Sequence, residues 1–463
     1  MSSKTSARWI ASLCAAALSV TVMLGGAASA APNPDRPKLF TPKISSSLKA
    51  KIQKAQGLRR FQAPSIVDSA FFSLEVAPEV TGAVPVAAGM HRLWDMKVAW
   101  TDVNPAPGVF DWSVLDARVA QAEASGASPL LVLGLTPQWA AADPSAGDPR
   151  WGIGTASPPS NIDSWRSYVQ AVVDRYGSRI GGYEVWNEAN LQTFWTGTPQ
   201  QMAELTAVAY EVIEARNPSA VVLTASTTTR LRKPMERFFR PYLTELKNRN
   251  YPFDAFAIHT YPAGNAGPNE RYADVEFWQG LVVDIVGPTS PVLNRDIFDT
   301  EVNYGLAGPG AIPGTDYDDR QGAELLARTF VDSARLGIDA TFWYMYTAAP
   351  FDLLGVQFTS GTPQIANAWT VARSQMLDTS FGACTVANKP NNGTVRCTYY
   401  TGQATNYVVF NTSPGAAAIA PIEYAAIQTP FDAAPSPCTE QRCSLGVAAP
   451  YPTWLDRKFT GAN

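Results

Sequence analysis

The sequence predicts an α/β protein: a (β/α)8 TIM barrel followed by a small C-terminal β-sandwich domain. Between residues 71 and 378, eight short apolar segments alternate with amphipathic helical segments, as a barrel of strand–helix units requires. No glycine-rich nucleotide loop follows the first segment, which disfavours an open doubly wound sheet. After Asp378 the helical periodicity ends, and short strand-like segments alternate with Gly, Pro and Asn.

Each predicted strand is a short apolar run bounded by polar or turn-forming residues. In chain order the eight strands are Phe71–Val76, Gly89–Trp94, Pro129–Leu135, Gly182–Trp186, Ala220–Ala225, Phe253–Thr260, Asp296–Glu301 and Thr341–Tyr346. In a barrel their carboxyl ends meet at one rim, where the functional residues of such folds lie. Candidate functional residues are therefore expected at these strand ends.

Helix signals fill the segments between the strands. In the clearest, Thr198–Arg216, Thr198 is the N-cap, Pro199 is the first helical residue and Gln201 closes a capping box. Apolar residues then recur along one face of this helix at the spacing of an amphipathic helix. A second clear helix is predicted for Gln321–Leu336. These patterns predict a layer of helices around the strands.

Residues 1–30 have the order of a secretory signal peptide. Lys4 and Arg8 precede an apolar run over 9–24, and small residues end the segment at Ala30, the expected cleavage site. An uncleaved membrane anchor is the alternative, but the run is shorter than the ~20 residues of a helical span. We therefore expect a secreted, extracellular protein.

The chain is predicted to divide into four segments. These are a signal peptide (1–30), an N-terminal arm or linker (31–65), the catalytic barrel (66–378) and an accessory β-sandwich (379–463). Within the last segment, Thr394–Tyr400 and Tyr407–Phe410 have the composition of strands.

The composition excludes several classes of function. Only 16% of the 463 residues are charged, which is below the ~25% of typical soluble proteins. Removing residues 1–30, which carry two basic residues and no acidic one, changes the net charge from −4 to −6. A weakly acidic surface disfavours nucleic acid and membranes as partners. The 46% hydrophobic content excludes disorder, and the 11% of aromatic residues suits a neutral partner that stacks on rings.

Four cysteines remain once Cys14 leaves with the signal peptide. An even number in an exported chain predicts disulfides, and the spacing favours Cys384–Cys397 and Cys438–Cys443. The turn signal Asn392-Gly393 lies between the first two. A zinc site is the alternative, although the chain has no CxxC motif and both histidines are distant in sequence.

Glutamates at two of the predicted strand ends can form a catalytic pair. Asn187-Glu188 follows strand four, and Thr300-Glu301 ends strand seven. In a closed eight-stranded barrel these two strands face each other across the mouth. One carboxyl group there could protonate the leaving oxygen of a glycosidic bond while the other attacks or stabilises the anomeric carbon.

Three motifs resemble those of clan A retaining glycoside hydrolases. They are Trp186-Asn187-Glu188 at strand four, His259-x-Tyr261 at strand six and Thr300-Glu301 at strand seven. The longer stretch Glu184–Leu191 is most similar to glycoside hydrolase family 39, which includes β-xylosidases, α-iduronidases and arabinosidases. The resemblance covers the barrel, and the trailing sandwich also fits that family.

The resemblance implies a role for each matching residue. Glu188 would be the general acid/base, and Glu301 would be the nucleophile. Asn187 would hydrogen-bond the sugar 2-hydroxyl at the cleavage subsite. Tyr261 would contact the nucleophile, and His259 would line the subsite.

Three further residues are expected at the substrate-binding site. The resemblance implies that Arg92, ending strand two, pairs with Glu301 and keeps it ionised, and that Trp343, ending strand eight, forms the floor on which the sugar ring stacks. Trp139 is an aromatic candidate for sugar contact, since sugars bury their C–H faces on rings. Packing in the core or at the rim is the alternative for Trp139 and Trp343.

Two acidic residues depart from the family pattern. Strand periodicity places Asp299 on the same side as Glu301, and Glu184 on the same side as Glu188. The extra carboxylates could belong to a buried salt-bridge network under the site. Alternatively, the acid and the nucleophile are each misplaced by one pleat.

The sequence therefore predicts a secreted retaining glycosidase that acts on a poly- or oligosaccharide without metal or cofactor. A non-catalytic carbohydrate-binding barrel is the alternative. A serine hydrolase that uses His259 is disfavoured, because the chain contains no Gly-x-Ser-x-Gly elbow.

Overall fold

A computed structural model of the chain describes residues 66–307, 313–387, 394–401, 404–411, 422–423, 425–430, 436–437, 442–443 and 452–457. The predicted signal peptide, the predicted arm 31–65 and Cys438 lie outside the described residues.

Eight parallel strands form the barrel. They are β1 (Phe72–Val76), β2 (Met90–Leu93), β3 (Ser128–Val132), β4 (Gly182–Glu184), β5 (Val221–Leu223), β6 (Phe256–His259), β7 (Ile297–Val302) and β8 (Ala340–Tyr346). Their order is β5-β4-β3-β2-β1-β8-β7-β6. Parallel bridges from Leu223 to Ala255 and from Thr228 to His259 close the ring between β5 and β6. All eight predicted strands are confirmed.

Helices cover the outside of this ring. They are α1 (Trp100–Val103), α2 (Ser113–Ala124), α3 (Ile162–Tyr176), α4 (Pro199–Arg216), α5 (Arg232–Asn248), α6 (Pro268–Val286), α7 (Asp319–Leu336) and α8 (Pro363–Met376). In α4, the Thr198 side chain accepts from the Gln201 N–H, which confirms the predicted capping box. No helix in the described chain has the length and apolarity of a membrane span.

Apolar side chains fill the barrel interior, and larger clusters lie between the strands and the helices. The interior cluster contains Met90, Leu130, Leu223, Ala255, Ala257, Phe298, Ala340 and Phe342. These residues come from six of the eight strands, so they tie the strands of the barrel together from within. The polar side chains at the carboxyl ends of the strands thus have a rigid base.

A small antiparallel sheet follows the barrel. Its strands are β9 (Ser380–Ala387), β10 (Thr394–Thr401), β11 (Ala404–Asn411), β13 (Ala425–Pro430), β14 (Ser436–Pro437) and β16 (Thr453–Arg457), in the order β14-β13-β16-β11-β10-β9. A separate pair joins β12 (Ile422–Glu423) to β15 (Arg442–Cys443). The predicted Cys384–Cys397 disulfide is confirmed and links β9 to β10. The second predicted disulfide involves Cys438, outside the described residues.

Candidate active site

A partly open cavity of about 360 Å³ lies where the carboxyl ends of the barrel strands meet. This volume includes space that is open to solvent at the rim. The wall combines aromatic rings, carboxyl groups and one amide. Its residues are Trp94, Asp95, Trp151, Asn187, Glu188, Phe194, Tyr261, Glu301, Tyr344 and Leu353.

The two glutamates predicted from the strand ends converge on this cavity. Nδ1 of His259 lies 3.0 Å from Oε1 of Glu188 and 3.4 Å from Oε2 of Glu301. One carboxylate oxygen of each glutamate and one ring nitrogen of His259 lie within 4.8 Å of one another. Carboxyl groups of retaining glycosidases are ~5–5.5 Å apart, whereas those of inverting enzymes are ~6.5–9.5 Å apart. The spacing of Glu188 and Glu301 is short enough for the retaining arrangement.

A local backbone turn aims Glu188 at the cavity. β4 ends at Glu184, and Glu188 has a φ of +39°, which is uncommon for a residue other than glycine. The Glu188 N–H donates to Oγ of Ser226 at 3.0 Å, and the Glu188 carbonyl accepts from the Leu191 N–H at 2.9 Å. These bonds hold the turn, so Glu188 does not follow the alternation of β4.

A β-bulge separates Glu301 from Asp299. The pairing of β6 with β7 joins Ile258 to Asp299 but His259 to Glu301, so one extra residue of β7 is accommodated there. Glu301 consequently faces the cavity. Asp299 is fully buried and accepts from Nη2 of Arg271 at 2.8 Å, away from the cavity wall.

Both carboxylate oxygens of Glu301 accept hydrogen bonds. Nη1 of Arg92 donates to Oε1 at 2.5 Å, and the Tyr261 hydroxyl donates to Oε2 at 2.7 Å. The structure thus places Arg92 and Tyr261 against Glu301, as the resemblance implied. Their donors fix the orientation of the carboxylate and supply a fully buried positive charge beside it.

Arg92 uses all five of its N–H donors. Nε and Nη2 donate to the two oxygens of Glu184 at 2.9 and 3.0 Å, and Nη2 also donates to Oδ1 of Asn187 at 2.8 Å. Besides Glu301, Nη1 donates to Oε2 of Glu75 at 2.9 Å. Side chains from three other strands and from the segment after β4 therefore meet at a single guanidinium group.

Charge in this buried network is unevenly distributed. Burial opposes ionisation of Glu184, but Arg92 and His259 outweigh it and lower the pKa of Glu184 to about 2. For Glu75, burial prevails over Arg92 and raises the pKa well above its ordinary value. The position of Glu184 beneath Arg92 favours the interpretation of the extra carboxylates as a salt-bridge network over a misplaced catalytic pair.

His259 contacts both glutamates but does not lie in the cavity wall, where its predicted place in the subsite would put it. Its side chain is fully buried and is not part of the cavity wall. Burial lowers its basicity, but the carboxylates of Glu301, Glu184 and Glu188 outweigh burial and raise the pKa of His259 to about 10. Glu188, His259 and Glu301 have the spacing of a metal site. A ligating histidine must be neutral, so a metal bound there would have to displace the proton of His259.

Trp343 and Trp139, both predicted to contact the sugar, do not line the cavity. Trp343 is fully buried and packs on Tyr304, so it does not form the cavity floor. Because successive side chains of a strand alternate between faces, the next residue, Tyr344, lines the cavity instead. Trp139 packs edge-on against Trp100 and donates from Nε1 to the Asn104 carbonyl, away from the cavity.

Among the cavity residues, sequence reasoning missed Trp94, Asp95 and Trp151. Trp94 and Trp151 stack with ring centroids 5.2 Å apart, and Phe194 packs against both. Asp95 directly follows the end of predicted strand two. Trp94 and Asp95 could have been found from position alone, because they adjoin Arg92 at the rim.

Comparisons with known proteins show the fold. No family model matches the chain, and no curated protein matches it in sequence. An endoxylanase of glycoside hydrolase family 30 from Clostridium papyrosolvens matches with a TM-score of 0.55 and 15% identity, over 86% of this chain and 98% of its own. A glucosidase from Croceicoccus marinus matches with a TM-score of 0.59 and 12% identity, over 85% and 96%.

A monomeric β-xylosidase from Caulobacter crescentus matches with a TM-score of 0.51 and 16% identity, over 86% of this chain and 96% of its own. At these identities the likeness shows the fold alone. The chain thus has the barrel fold that these glycosidases share, and its resemblance to clan A and to family 39 stays a prediction.

Proposed function

We propose that this chain is a secreted retaining glycoside hydrolase that cleaves O-glycosidic bonds of a poly- or oligosaccharide. The observation that carries the proposal is the convergence of Glu188 and Glu301 on one cavity. One carboxylate oxygen of Glu188 lies within 4.8 Å of one carboxylate oxygen of Glu301. The likeness to family 39 motifs favours a xylosidase- or arabinosidase-like substrate.

In the first step Glu188 donates a proton to the leaving glycosidic oxygen while Glu301 attacks the anomeric carbon. Arg92 and Tyr261 hold the two oxygens of Glu301, so the nucleophile needs little reorganisation. A glycosyl ester forms on Glu301, and the leaving sugar departs with the proton of Glu188.

In the second step Glu188 accepts a proton from water, and the resulting oxygen nucleophile attacks the anomeric carbon. The C–O bond to Glu301 breaks, which restores its carboxylate. Esterification removes the negative charge of Glu301, so ionised Glu188 has one anionic neighbour fewer at this stage. Two inversions at one carbon give net retention.

His259 is well placed to support Glu188 through both steps. Its imidazole lies 3.0 Å from Oε1 of Glu188, and its raised pKa means that Nδ1 carries a proton it can donate. Occupying Oε1 in this way leaves Oε2 to carry the catalytic proton. The role is one of positioning, because His259 does not reach the cavity.

Asn187 and the aromatic walls would bind the sugar. Arg92 occupies Oδ1 of Asn187, which directs the amide nitrogen elsewhere, and the residue lines the cavity. This suits donation to the 2-hydroxyl next to the reacting carbon. Trp94, Trp151 and Tyr344 offer ring faces and edges to apolar C–H groups.

A panel of nitrophenyl glycosides and polysaccharides tests the proposal with wild-type protein, Glu188→Ala and Glu301→Ala. We expect release of nitrophenol by wild type, unaffected by EDTA, and its loss in both variants. Azide should restore turnover in both, giving a glycosyl azide of inverted configuration with Glu301→Ala and of retained configuration with Glu188→Ala. Unimpaired turnover by Glu301→Ala would reject the assignment, and a carbohydrate-binding barrel would release no nitrophenol.

A further inference from the structure

We propose that Asp95 binds substrate by accepting a hydrogen bond from a ring hydroxyl of the sugar held against Glu301, and thereby makes the site select a neutral sugar. The proposal rests on the glycosidase function proposed above. It adds a specificity residue that none of the three sequence motifs contains.

Asp95 has one engaged and one unengaged carboxylate oxygen. The Tyr344 hydroxyl donates to Oδ2 at 2.7 Å. Oδ1 is buried and has no hydrogen-bond partner, although the residue lines the cavity. Buried acceptors are rarely left unpaired in proteins, so an unengaged carboxylate oxygen in a ligand cavity points to a donor on the ligand.

The backbone holds this carboxylate in place. Asp95 has a φ of +57°, a conformation that side-chain-bearing residues adopt at a cost and that persists where the surroundings enforce it. Trp94, the preceding residue, is buried and stacked on Trp151. The fixed acceptor therefore stands at the edge of an aromatic wall, where a stacked sugar presents its hydroxyl groups.

The charges around Asp95 favour a neutral donor. Burial and the nearby carboxylates of Glu301 and Glu188 outweigh Tyr344 and Arg92 and raise the pKa of Asp95 to about 7. A hydroxyl that donates to Oδ1 would stabilise the ionised form. The carboxylate of a uronic acid would instead add a negative charge beside the carboxylate of Glu301 and the carboxyl groups of Asp95 and Glu188.

The described wall of the cavity itself offers no cation to offset that added charge. The cavity wall contains neither Lys nor Arg among the described residues. All five N–H donors of Arg92 already donate to acceptors of the protein. Arg230 lies over the Tyr261 ring at 5.9 Å and is not part of the wall. An anionic sugar would thus find no cation in the wall itself, at a cost in binding.

Kinetics with deoxy analogues test the hydroxyl contact. The substrate is the best nitrophenyl glycoside of the panel, with its 2-, 3- and 4-deoxy analogues, and the proteins are wild type, Asp95→Asn and Asp95→Ala. We expect both variants to lose ~10²-fold in kcat/KM on the parent glycoside. Either the 3-deoxy or the 4-deoxy analogue lacks the hydroxyl that donates to Asp95. On that analogue the kcat/KM of wild type should fall by a similar factor relative to the parent glycoside. The kcat/KM of each variant should fall by less than ~3-fold relative to its own value on the parent glycoside.

A uronide of the same configuration tests the selection. Wild type should prefer the neutral glycoside by at least ~10²-fold, and Asp95→Asn should reduce that preference at least ~10-fold. Equal losses by the variants on every analogue, or equal turnover of uronide by wild type, would overturn the proposal while leaving the glycosidase intact. Wild type that hydrolyses no glycoside would overturn both. If neither variant folds, the wild-type kinetics still test the hydrogen bond between the sugar hydroxyl and Asp95. Undiminished turnover of both the 3-deoxy and the 4-deoxy analogue by wild type would contradict that bond.

Discussion

Arg92 binds Glu184 through two parallel hydrogen bonds, of 2.9 and 3.0 Å, between the ends of β2 and β4. This pair is fully buried, and it fixes the guanidinium that also holds Glu301. The position of the proposed nucleophile therefore depends on a salt bridge that does not touch the cavity.

Replacing Arg92 by Lys keeps the charge but not the five-donor geometry. We expect Arg92→Lys to lower kcat/KM by ~10²–10³-fold, since a donor to the reacting carboxylate is lost or displaced. The free energy of unfolding should fall by about 3 kcal/mol, because buried carboxylates lose their partner. Enzyme kinetics and urea unfolding measure the two effects.

Arg166→Lys is the matched control, because Arg166 makes a similar two-bond contact with Glu211 on the surface. We expect a loss below about 1 kcal/mol and unchanged kcat/KM. If Arg92→Lys behaved like this control, the dependence of Glu301 on Arg92 would be wrong.

Asp299 is expected to stabilise the fold without entering the reaction. Asp299→Asn weakens the buried contact with Arg271, which should reduce the free energy of unfolding by ~3 kcal/mol. At a temperature where the variant is folded, kcat should stay within ~10-fold of wild type, because the side chain faces away from the cavity. Complete loss of turnover by Asp299→Ala, restored by azide, would show that the nucleophile had been misplaced by one pleat.

Substitutions of two tryptophans distinguish a role in sugar binding from a role in packing. Trp151 lines the cavity and stacks on Trp94, so Trp151→Ala should raise KM by ~10-fold and also lower the free energy of unfolding. Trp139 packs on Trp100, so Trp139→Ala should lower the free energy of unfolding by ~2–3 kcal/mol and leave KM unchanged. Michaelis–Menten kinetics distinguish the two variants, thermal unfolding measures the stability that each loses, and a reversed pattern of KM would contradict the location of the binding wall.

His91 should make the fold sensitive to acid. Burial lowers the pKa of His91 to about 4 from an ordinary 6.5. Between these values the unfolded chain binds more protons than the folded one, so stability falls as the pH drops from 6.5 to 4. The loss from this residue should reach about 3 kcal/mol at pH 4.

His91→Leu should remove this part of the pH dependence. The raised pKa of His259 contributes in the opposite sense and above pH 6.5, so it does not obscure the comparison. Urea unfolding of both proteins at pH 4 to 7 gives the difference, and identical slopes for the two would contradict the assignment to His91.

The strand ends that matter most were accessible from sequence. Glu188 and Glu301 each follow an apolar strand at one end of a regular series of eight, so fold periodicity alone brings them to one rim. The capping box of α4 was equally accessible, since Thr198, Pro199 and Gln201 specify it locally.

What the sequence did not reveal depends on register and on contacts distant along the chain. The bulge in β7 puts Asp299 and Glu301 on different sides, whereas regular alternation would put them together. An uncertainty of one residue in register likewise explains why the sequence predicts Trp343 at the cavity, which Tyr344 lines instead. The partners of Glu75 come from other strands, so only the closed barrel shows that it shares Arg92 with Glu301.

Trapping of the glycosyl-enzyme tests the central claim most directly. The protein is incubated with the activated 2-deoxy-2-fluoro glycoside of the sugar that the nitrophenyl panel identifies, and is then digested and analysed by mass spectrometry. Our account predicts a single fluoroglycosyl ester on Glu301, with Glu188 unmodified. A label on Asp299 or Glu184, or hydrolysis with inversion and no covalent adduct, would contradict it.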